Sequence, residues 1–413
     1  MRNEILASLD QPDQLEKLYR SNKAGFKKSF AELEEAQMDR QLAACWKARL
    51  FYQPEERERF TGKELVRVLI LVVLAGLLAR IPDIFSIEQE FYFSRNLGFI
   101  LFPALMLFFG WRQALPLHRL AGVGIALLVS LVFINLLPGT ATTDTVVLSC
   151  IHLLLFLWSL LGYVFIGAKV GEAESRLDFL RYNGDLVVMT TLLLITGGIV
   201  TGVTIGLFSL IGFQIESFYF KNIVVTGLPA APILATWLIQ NNPQLVGRVS
   251  PVIARLFSPV VLLMLLVYLG AILYSGKDPY NDREFLVLFN GLLIGVLAIL
   301  FFSVAEKSGR EKSLVENWIL LLLAASTVVV NCIALSAILF RIAEWGITAN
   351  RAAVLGGNLL ILLNLVLVTV QLVAVVRKKA DFSLVRMAIA GYLPVYIAWT
   401  IVVTFLFPFF FRV

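Results

Sequence analysis

Charged side chains are scarce in this chain of 413 residues. Lys, Arg, Asp and Glu together supply 15% of it, against about 25% in ordinary globular domains. Apolar residues supply 59%, and the mean hydropathy is +0.82. The length alone would predict a set of soluble domains, but this composition excludes them. It predicts a polytopic membrane protein.

Cysteine and histidine are rarer still. The three cysteines and two histidines form no CxxC, HxxxH or Cys–His pair; they are Cys45, Cys150, Cys332, His118 and His152. This scarcity argues against zinc, haem and iron–sulfur sites. We therefore expect no cofactor, although a cation held by carboxylates stays open. The chain begins with a polar segment that lacks an early apolar core, so no signal peptide is expected.

Charge-free stretches divide most of the chain. Ten are long, and an eleventh, 68–79, is short but is extended by Leu65 and Val66. Most reach the ~20 residues that a helix needs to cross the ~30 Å hydrocarbon core, and lipid requires them to be helical. The long stretches are 96–111, 120–143, 145–168, 186–215, 222–247, 256–276, 285–305, 317–340, 352–376 and 387–411. The predicted fold is all-α, a bundle of about eleven spans in which 96–111 is the candidate for a re-entrant segment.

The basic residues predict the orientation. With a cytoplasmic N-terminus, 27 of the 35 Lys and Arg residues fall inside and 8 outside. This excess predicts an inner-membrane protein with its N-terminus in and its C-terminus out. The net charge of +6 then reflects cytoplasmic loops, so the bilayer is expected as a partner and nucleic acid is not. No charged residue lies in the middle of a stretch, which disfavours a relay of buried carboxylates.

The N-terminal segment, 1–64, differs from the transmembrane domain predicted over 65–413. Residues 12–50 are expected to be helical because apolar residues recur there at spacings of three, four and seven. We expect an amphipathic pair of helices on the cytoplasmic face. The alternative is a surface over 12–52 that binds the membrane, a protein partner or a second copy. An aromatic and apolar group precedes the membrane: Trp46, Leu50, Phe51 and Tyr52.

The fifth span carries a ridge of three glycines at intervals of four, Gly198, Gly202 and Gly206. Such a ridge predicts close packing against another helix. A flexible gate or a backbone that lines a substrate path is the alternative.

The sixth span contains Gly227, Pro229 and Pro232. Two prolines three apart remove helical donors and predict a kink or an unwound stretch. Broken helices bind substrates in many transporters, whereas many proline kinks are only structural.

Amide side chains are frequent in the later spans. An amide in hydrocarbon seeks a partner across a helix interface or in a polar cavity. We expect these residues to join helices, and a polar substrate path is the alternative. With the sixth-span residues above, the candidates are Asn290, Asn331, Asn358, Asn364 and Gln371.

Three charged motifs lie at junctions, and turn-and-cap chemistry is expected at each. The first, Arg181–Asp185, precedes the fifth span. The other two share the predicted outer face, where carboxylates of the second could also gather around a hard cation. In the third, Thr348 is expected to cap the tenth span and Arg351 to pair with Glu344. The outer-face candidates are Asp278, Asn281, Asp282, Arg283, Glu284, Glu344, Trp345, Thr348 and Arg351.

These motifs give the chain a family resemblance. The Asp-Pro-Tyr-Asn turn at 278–281 and the Trp-Gly-Ile-Thr-x-x-Arg motif at 345–351 resemble those of the bacterial inner-membrane family called domain of unknown function 4153. The resemblance covers about residues 60–413. It implies a permease-like helical membrane protein and assigns no substrate and no catalytic residue.

Three functions follow as hypotheses. The first is a transporter or permease-like protein for a small molecule or lipid. The second is a non-transporting assembly or sensory subunit that works through its N-terminal helices. The third, a membrane-embedded lipid-modifying enzyme, is the weakest because there are only two histidines and the paired acidic residues lie in predicted turns.

Overall fold

The computed structural model describes residues 2–8, 11–31, 45–46, 49–50, 62–139, 143–210, 213–242, 249–275, 283–306 and 312–411. The chain divides into two compact units, Met1–Thr61 and Gly62–Val413. Within the described ranges all regular structure is helical, so the all-α prediction is confirmed.

The N-terminal unit begins with three short helices, α1 (Arg2–Ala7), α2 (Pro12–Ser21) and α3 (Lys23–Ala31). Between α2 and α3, Asn22 interrupts the helical backbone with an extended conformation (φ −152°, ψ 86°). The Asn22 side chain accepts a hydrogen bond from the N–H of Gly25 at 2.9 Å. Residues 32–44 lie outside the described residues.

The apolar face of these helices lies in the core of the N-terminal unit. Phe26 and Trp46 pack with ring centroids 5.0 Å apart, and the guanidinium of Arg49 lies 5.0 Å from the Trp46 ring. Hydrogen bonds and ion pairs from Arg20 and Arg49 hold the pKa of Glu16 below its usual range. The buried core residues are Ile5, Leu15, Phe26, Phe30, Trp46 and Leu50. Phe51 and Tyr52 lie outside the described residues, and binding of the segment 12–52 to a partner or a membrane stays a prediction.

Replacing Trp46 with alanine is expected to unfold this unit. Removing a buried tryptophan costs roughly 3–5 kcal/mol, which is most of the stability of a unit this small. Limited proteolysis of the full-length protein should cut the N-terminal unit much faster in Trp46→Ala. The matched control is Cys45→Ala, because Cys45 is exposed. Equal cleavage of both variants would refute the role of Trp46 in this core.

In the described residues of the second unit, each of the eleven predicted stretches contains a helix. We number them α4 and α6–α15, with a short helix α5 (Ile81–Phe85) between the first two. They are α4 (Gly62–Ala79), α6 (Gln89–Arg112), α7 (Leu117–Leu136), α8 (Asp144–Ile166), α9 (Ala173–Leu210), α10 (Glu216–Asn241), α11 (Val249–Ser275), α12 (Arg283–Ala305), α13 (Leu314–Trp345), α14 (Ala349–Val376) and α15 (Ser383–Phe410).

Eight helices of the described residues are long and apolar enough to cross a membrane: α6–α10 and α13–α15. Among them is α6, which contains the stretch 96–111. It is one continuous helix of 24 residues that passes through Pro103, and at 1.5 Å per residue it is about 36 Å long. The re-entrant interpretation is therefore wrong for this segment, whose charge-free part is short only because Arg95 interrupts it.

Two hydrophobic clusters meet along α8 and α9. One joins α4, α6 and α8, and the other joins α12–α15. Trp158 of α8 packs against both. Its indole N–H donates to Asn183 of α9 at 2.9 Å, which fixes the start of α9 between the two clusters.

Candidate functional site

A cleft of about 610 Å³ opens at one end of the second unit. It lies where α8 and α10 end, where α9 begins, and beside Glu306 at the end of α12. Its volume is within the range of about 300–1,000 Å³ that is typical of small-molecule sites. The lining residues are Gln113, Phe165, Ile166, Ala168, Lys169, Ser175, Asp178, Arg181, Tyr182, Asp185, Ile239, Gln240 and Glu306.

The turn from α8 to α9 forms one wall of the cleft. It begins at Gly167, which ends α8 with φ +63°, a conformation that favours glycine. Two side chains hold the turn: Gln113 donates to the carbonyl of Phe165 at 3.0 Å, and Arg119 donates to the carbonyl of Gly167 at 2.9 Å. Both bonds use carbonyls at a helix end, which otherwise have no partner.

The opposite wall depends on two close contacts of α9. Tyr182 is buried and lies 2.8 Å from the hydroxyl of Thr236 on α10. Because that hydroxyl donates to the carbonyl of Pro232, Tyr182 is the donor to Thr236. On α12, the ring of Phe302 occupies the place where a side chain at position 184 would be. Gly184 therefore lets α12 approach α9 and brings Glu306 to the cleft.

Charged side chains line the cleft from rim to interior. Asp178 and Arg181 form an ion pair at 3.2 Å, and Lys169 is exposed at the rim. Two further carboxylates line the cleft, and their Oδ1 (Asp185) and Oε2 (Glu306) atoms are shielded from solvent. The part of the chain that the structure describes contains no group of three or more His, Cys, Asp or Glu side chains that could hold a metal ion.

The motif Arg181–Asp185 thus contributes to the cleft, but its local structure differs from the prediction. It lies inside α9, which begins at Ala173, so the expected turn is wrong. Within the motif, Asn183 donates to the carbonyl of Phe179 at 2.6 Å and accepts from the indole N–H of Trp158 at 2.9 Å. Asp178, Arg181, Tyr182 and Asp185 follow helical spacing and share one face.

The sixth-span residues lie away from the cleft. The backbone stays helical through Pro229 and Pro232, so the unwound stretch is not found, while the kink stays a prediction. A π-turn at Phe220–Val224 precedes them, and such turns change the helical register without breaking the helix. Gly227 is exposed. The cleft reaches α10 only near its end, at Ile239 and Gln240.

The amides join helices. Asn358 donates to Asn290 at 2.9 Å, and Asn331 donates to the carbonyl of Asn358 at 3.0 Å, which links α12, α13 and α14. Asn364 donates to the carbonyl of Ala388 on α15 at 3.3 Å. Gln371 is half-buried. None of these residues lines the cleft, and the geometry favours the interhelical role over the polar path.

The glycine ridge packs against no helix in the described ranges. A side chain at Gly198, Gly202 or Gly206 would meet nothing within 4 Å. None of the side chains in the most apolar window of α9 is buried. Among the described residues of one copy of the chain, the predicted packing of the ridge is therefore not found.

The outer-face motifs are described only in part. Asp278, Asn281 and Asp282 lie outside the described residues, and so do the side chains of Arg283 and Glu284, with which α12 begins. Whether this group meets the third motif therefore stays a prediction.

In the third motif, Thr348 caps α14 as predicted by accepting from the N–H of Arg351 at 3.3 Å. Arg351 donates to the carbonyls of Trp345 (3.0 Å) and Gly346 (2.7 Å). It also lies over the Trp345 ring, 5.7 Å from the centroid. The predicted pair with Glu344 does not form, because the guanidinium instead donates to the carbonyls at the end of α13.

Sequence reasoning missed a buried cation. Arg95, 3% exposed, donates to the carbonyls of Ile134, Leu137 and Gly139 at the end of α7. Arg95 is one of the eight basic residues that the charge distribution predicts to lie outside. The neighbouring Asn96 exchanges hydrogen bonds with Asn135 at 3.0 and 2.8 Å. An Arg–Asn pair at the edge of an apolar stretch was the signal for this contact.

Comparisons with models of protein families, with curated proteins and with solved structures found no match to this chain. The resemblance to domain of unknown function 4153 stays a prediction.

Proposed function

We propose that this protein is a permease-like transporter in a bacterial inner membrane and that the cleft is the cytoplasmic entrance to its substrate path. The observation that carries the proposal is a charged cleft of about 610 Å³ at the end of an apolar helical unit. In helical membrane proteins, polar and ionisable groups that face a cavity mark substrate and ion pathways.

The proposed orientation places the cleft inside the cell. In an eleven-span arrangement with the N-terminus in, α4, α11 and α12 cross the membrane with the eight helices named above. The loops at 113–116, 167–172, 242–248 and 306–313 are then cytoplasmic. Described residues at these junctions line the cleft: Gln113, Lys169 and Glu306.

A specific observation also supports the second candidate, an assembly or sensory subunit. The N-terminal unit has a hydrophobic core of its own, as expected for a separate module. Its exposed surface is charged and includes Lys17, Lys23, Lys27 and Lys28. A partner of this module would bind polar side chains, because the apolar face is buried.

Transport can be tested before the substrate is known. The full-length protein is reconstituted into liposomes, which are incubated in a mixture of water-soluble metabolites, washed and analysed by mass spectrometry. We expect a small set of solutes to enter at least tenfold above protein-free liposomes. Ala168→Trp, which adds bulk to the lining, should abolish this entry.

The matched control is Ala343→Trp. Ala343 is exposed near the C-terminal end of α13 and does not line the cleft. The control variant should leave the entry unchanged. No entry above protein-free liposomes would contradict transport and favour the subunit hypothesis. Equal entry with both tryptophan variants would contradict the role of the cleft.

A further inference from the structure

We propose that the exposed basic surface of the N-terminal unit binds the anionic headgroups of membrane phospholipids. The inference concerns a surface outside the cleft, and it stands whether or not the protein transports a solute. We define the basic surface by the described Lys and Arg side chains of the unit, all of which are exposed: Lys17, Arg20, Lys23, Lys27, Lys28 and Arg49.

The charges of the basic surface are of one sign. Five of its six residues lie between Glu16 and Ala31, and no acidic residue lies among them. The described acidic side chains of the unit are Glu4, Asp13 and Glu16. In the described part of the chain, three of the lysines form no ion pair: Lys17, Lys23 and Lys28. Their ammonium groups are therefore available to an anionic partner.

Two guanidinium groups of the basic surface share one carboxylate. Nε of Arg20 lies 2.9 Å from Oε1 of Glu16, and a terminal nitrogen of Arg49 lies 3.0 Å from Oε2. The guanidinium of Arg49 also lies 5.1 Å from the centroid of the Tyr19 ring, and Nζ of Lys23 lies 6.0 Å from the same centroid. Three cations thus gather around a single anion. A phosphate oxygen that accepts from these cations relieves their mutual repulsion.

A bilayer fits this surface better than an apolar partner does. The apolar face of the described helices is packed into the core of the unit, so the attraction has to come from charge. Anionic headgroups form an extended negative surface, and each Lys or Arg near it typically strengthens binding about fivefold. Several separate lysines can each contact a headgroup there, which one small anion does not allow.

The chain also keeps the unit near the membrane. In the eleven-span arrangement proposed above, the first apolar stretch begins at Leu65, and Leu50 is the last described residue of the N-terminal core. The extended chain between these two residues spans at most about 54 Å. Headgroups are therefore always present at a high effective concentration, and the bilayer is the partner that the basic surface meets first.

Docking is measured by energy transfer from a dye on the N-terminal unit to acceptor dyes on lipid headgroups. The donor is attached to Cys45, which is exposed, after Cys150 and Cys332 are replaced with alanine. The full-length protein is studied in nanodiscs of phosphatidylcholine alone or with phosphatidylglycerol added. We expect the transfer to rise roughly twofold or more when phosphatidylglycerol is present. The rise should disappear at about 1 M salt, because the screening length is then about 3 Å.

Charge variants test which residues are responsible for the docking. Replacing Lys17, Lys23 and Lys28 together with glutamine should abolish the rise, whereas replacing the same three with arginine should keep it. Asp13→Asn should increase the rise, because it removes an exposed acidic charge from α2. This gain keeps the test open if the glutamine variant fails to fold, since misfolding does not strengthen a docking that depends on lipid charge and salt.

The outcomes separate this inference from the transport proposal. Equal transfer in the two lipid mixtures would overturn the lipid site and would favour an acidic protein partner for the basic surface. A rise that survives high salt, or one that the arginine variant also loses, would overturn it too, because charge would then not drive the docking. None of these results bears on transport, since the substituted residues do not line the cleft. Conversely, a lack of solute entry into liposomes would overturn transport and leave the lipid site standing.

Discussion

Replacing Arg95 with methionine is expected to destabilise the protein by about 3 kcal/mol or more. The guanidinium is 3% exposed and donates to three carbonyls at the end of α7, at 2.9 Å to Leu137 and 3.0 Å to Gly139, with Ile134 as the third. Each buried carbonyl that loses its only donor costs about 1–3 kcal/mol. Methionine keeps the length of the side chain and most of its packing, so this loss isolates the hydrogen bonds.

The measurement is the melting temperature of the full-length protein in detergent, with two comparisons. Arg95→Lys keeps the charge but cannot reach several carbonyls with one planar fork, so it should fall between wild type and Arg95→Met. Arg377→Met removes an exposed arginine and should melt as wild type does. Similar melting of all three variants would show that Arg95 does not hold the end of α7.

The positions of the helices were predictable because lipid allows few alternatives. In the described residues, each charge-free stretch is helical over most of its length, since an apolar run in hydrocarbon must pair its own backbone groups. The ends of the helices were less predictable. They depend on partners far away in sequence, as Arg95 shows by bonding to residues 39–44 positions later.

The cleft was only partly predictable, because its residues come from four separate segments. The motif Arg181–Asp185 was visible in the sequence, but Gln240 and Glu306 join it only through the packing of α9 against α10 and α12. The prolines gave a stronger local signal, but they do not line the cleft. Proline reports the local lack of a backbone donor, and in α10 a π-turn precedes the prolines without breaking the helix.

The packing of small residues was also hard to predict from the sequence. Glycines at intervals of four predict packing only when another helix lies opposite them, and sequence periodicity does not show whether one does. Gly184 and Gly356 belong to no long ridge, yet they are the ones that rings occupy, those of Phe302 and Trp399. At these positions a bulky aromatic ring from another helix fills the space that a side chain would take, so glycine is needed there. The aromatic residue is far away in sequence, and the sequence therefore does not reveal the contact.

Replacing Gly184 with leucine is therefore expected to destabilise the protein by roughly 1–3 kcal/mol, the range for overpacked cores, whereas Gly202→Leu is expected to leave stability unchanged or slightly raised. Both positions lie inside α9, so both substitutions gain about the same helix propensity, near 1 kcal/mol. The difference in melting temperature between the two variants thus reports the contact with Phe302 alone. It also tests the surroundings of the ridge, because a side chain at Gly202 meets nothing within 4 Å. A loss of stability in Gly202→Leu equal to that in Gly184→Leu would contradict this geometry and would mean that another helix packs against the ridge.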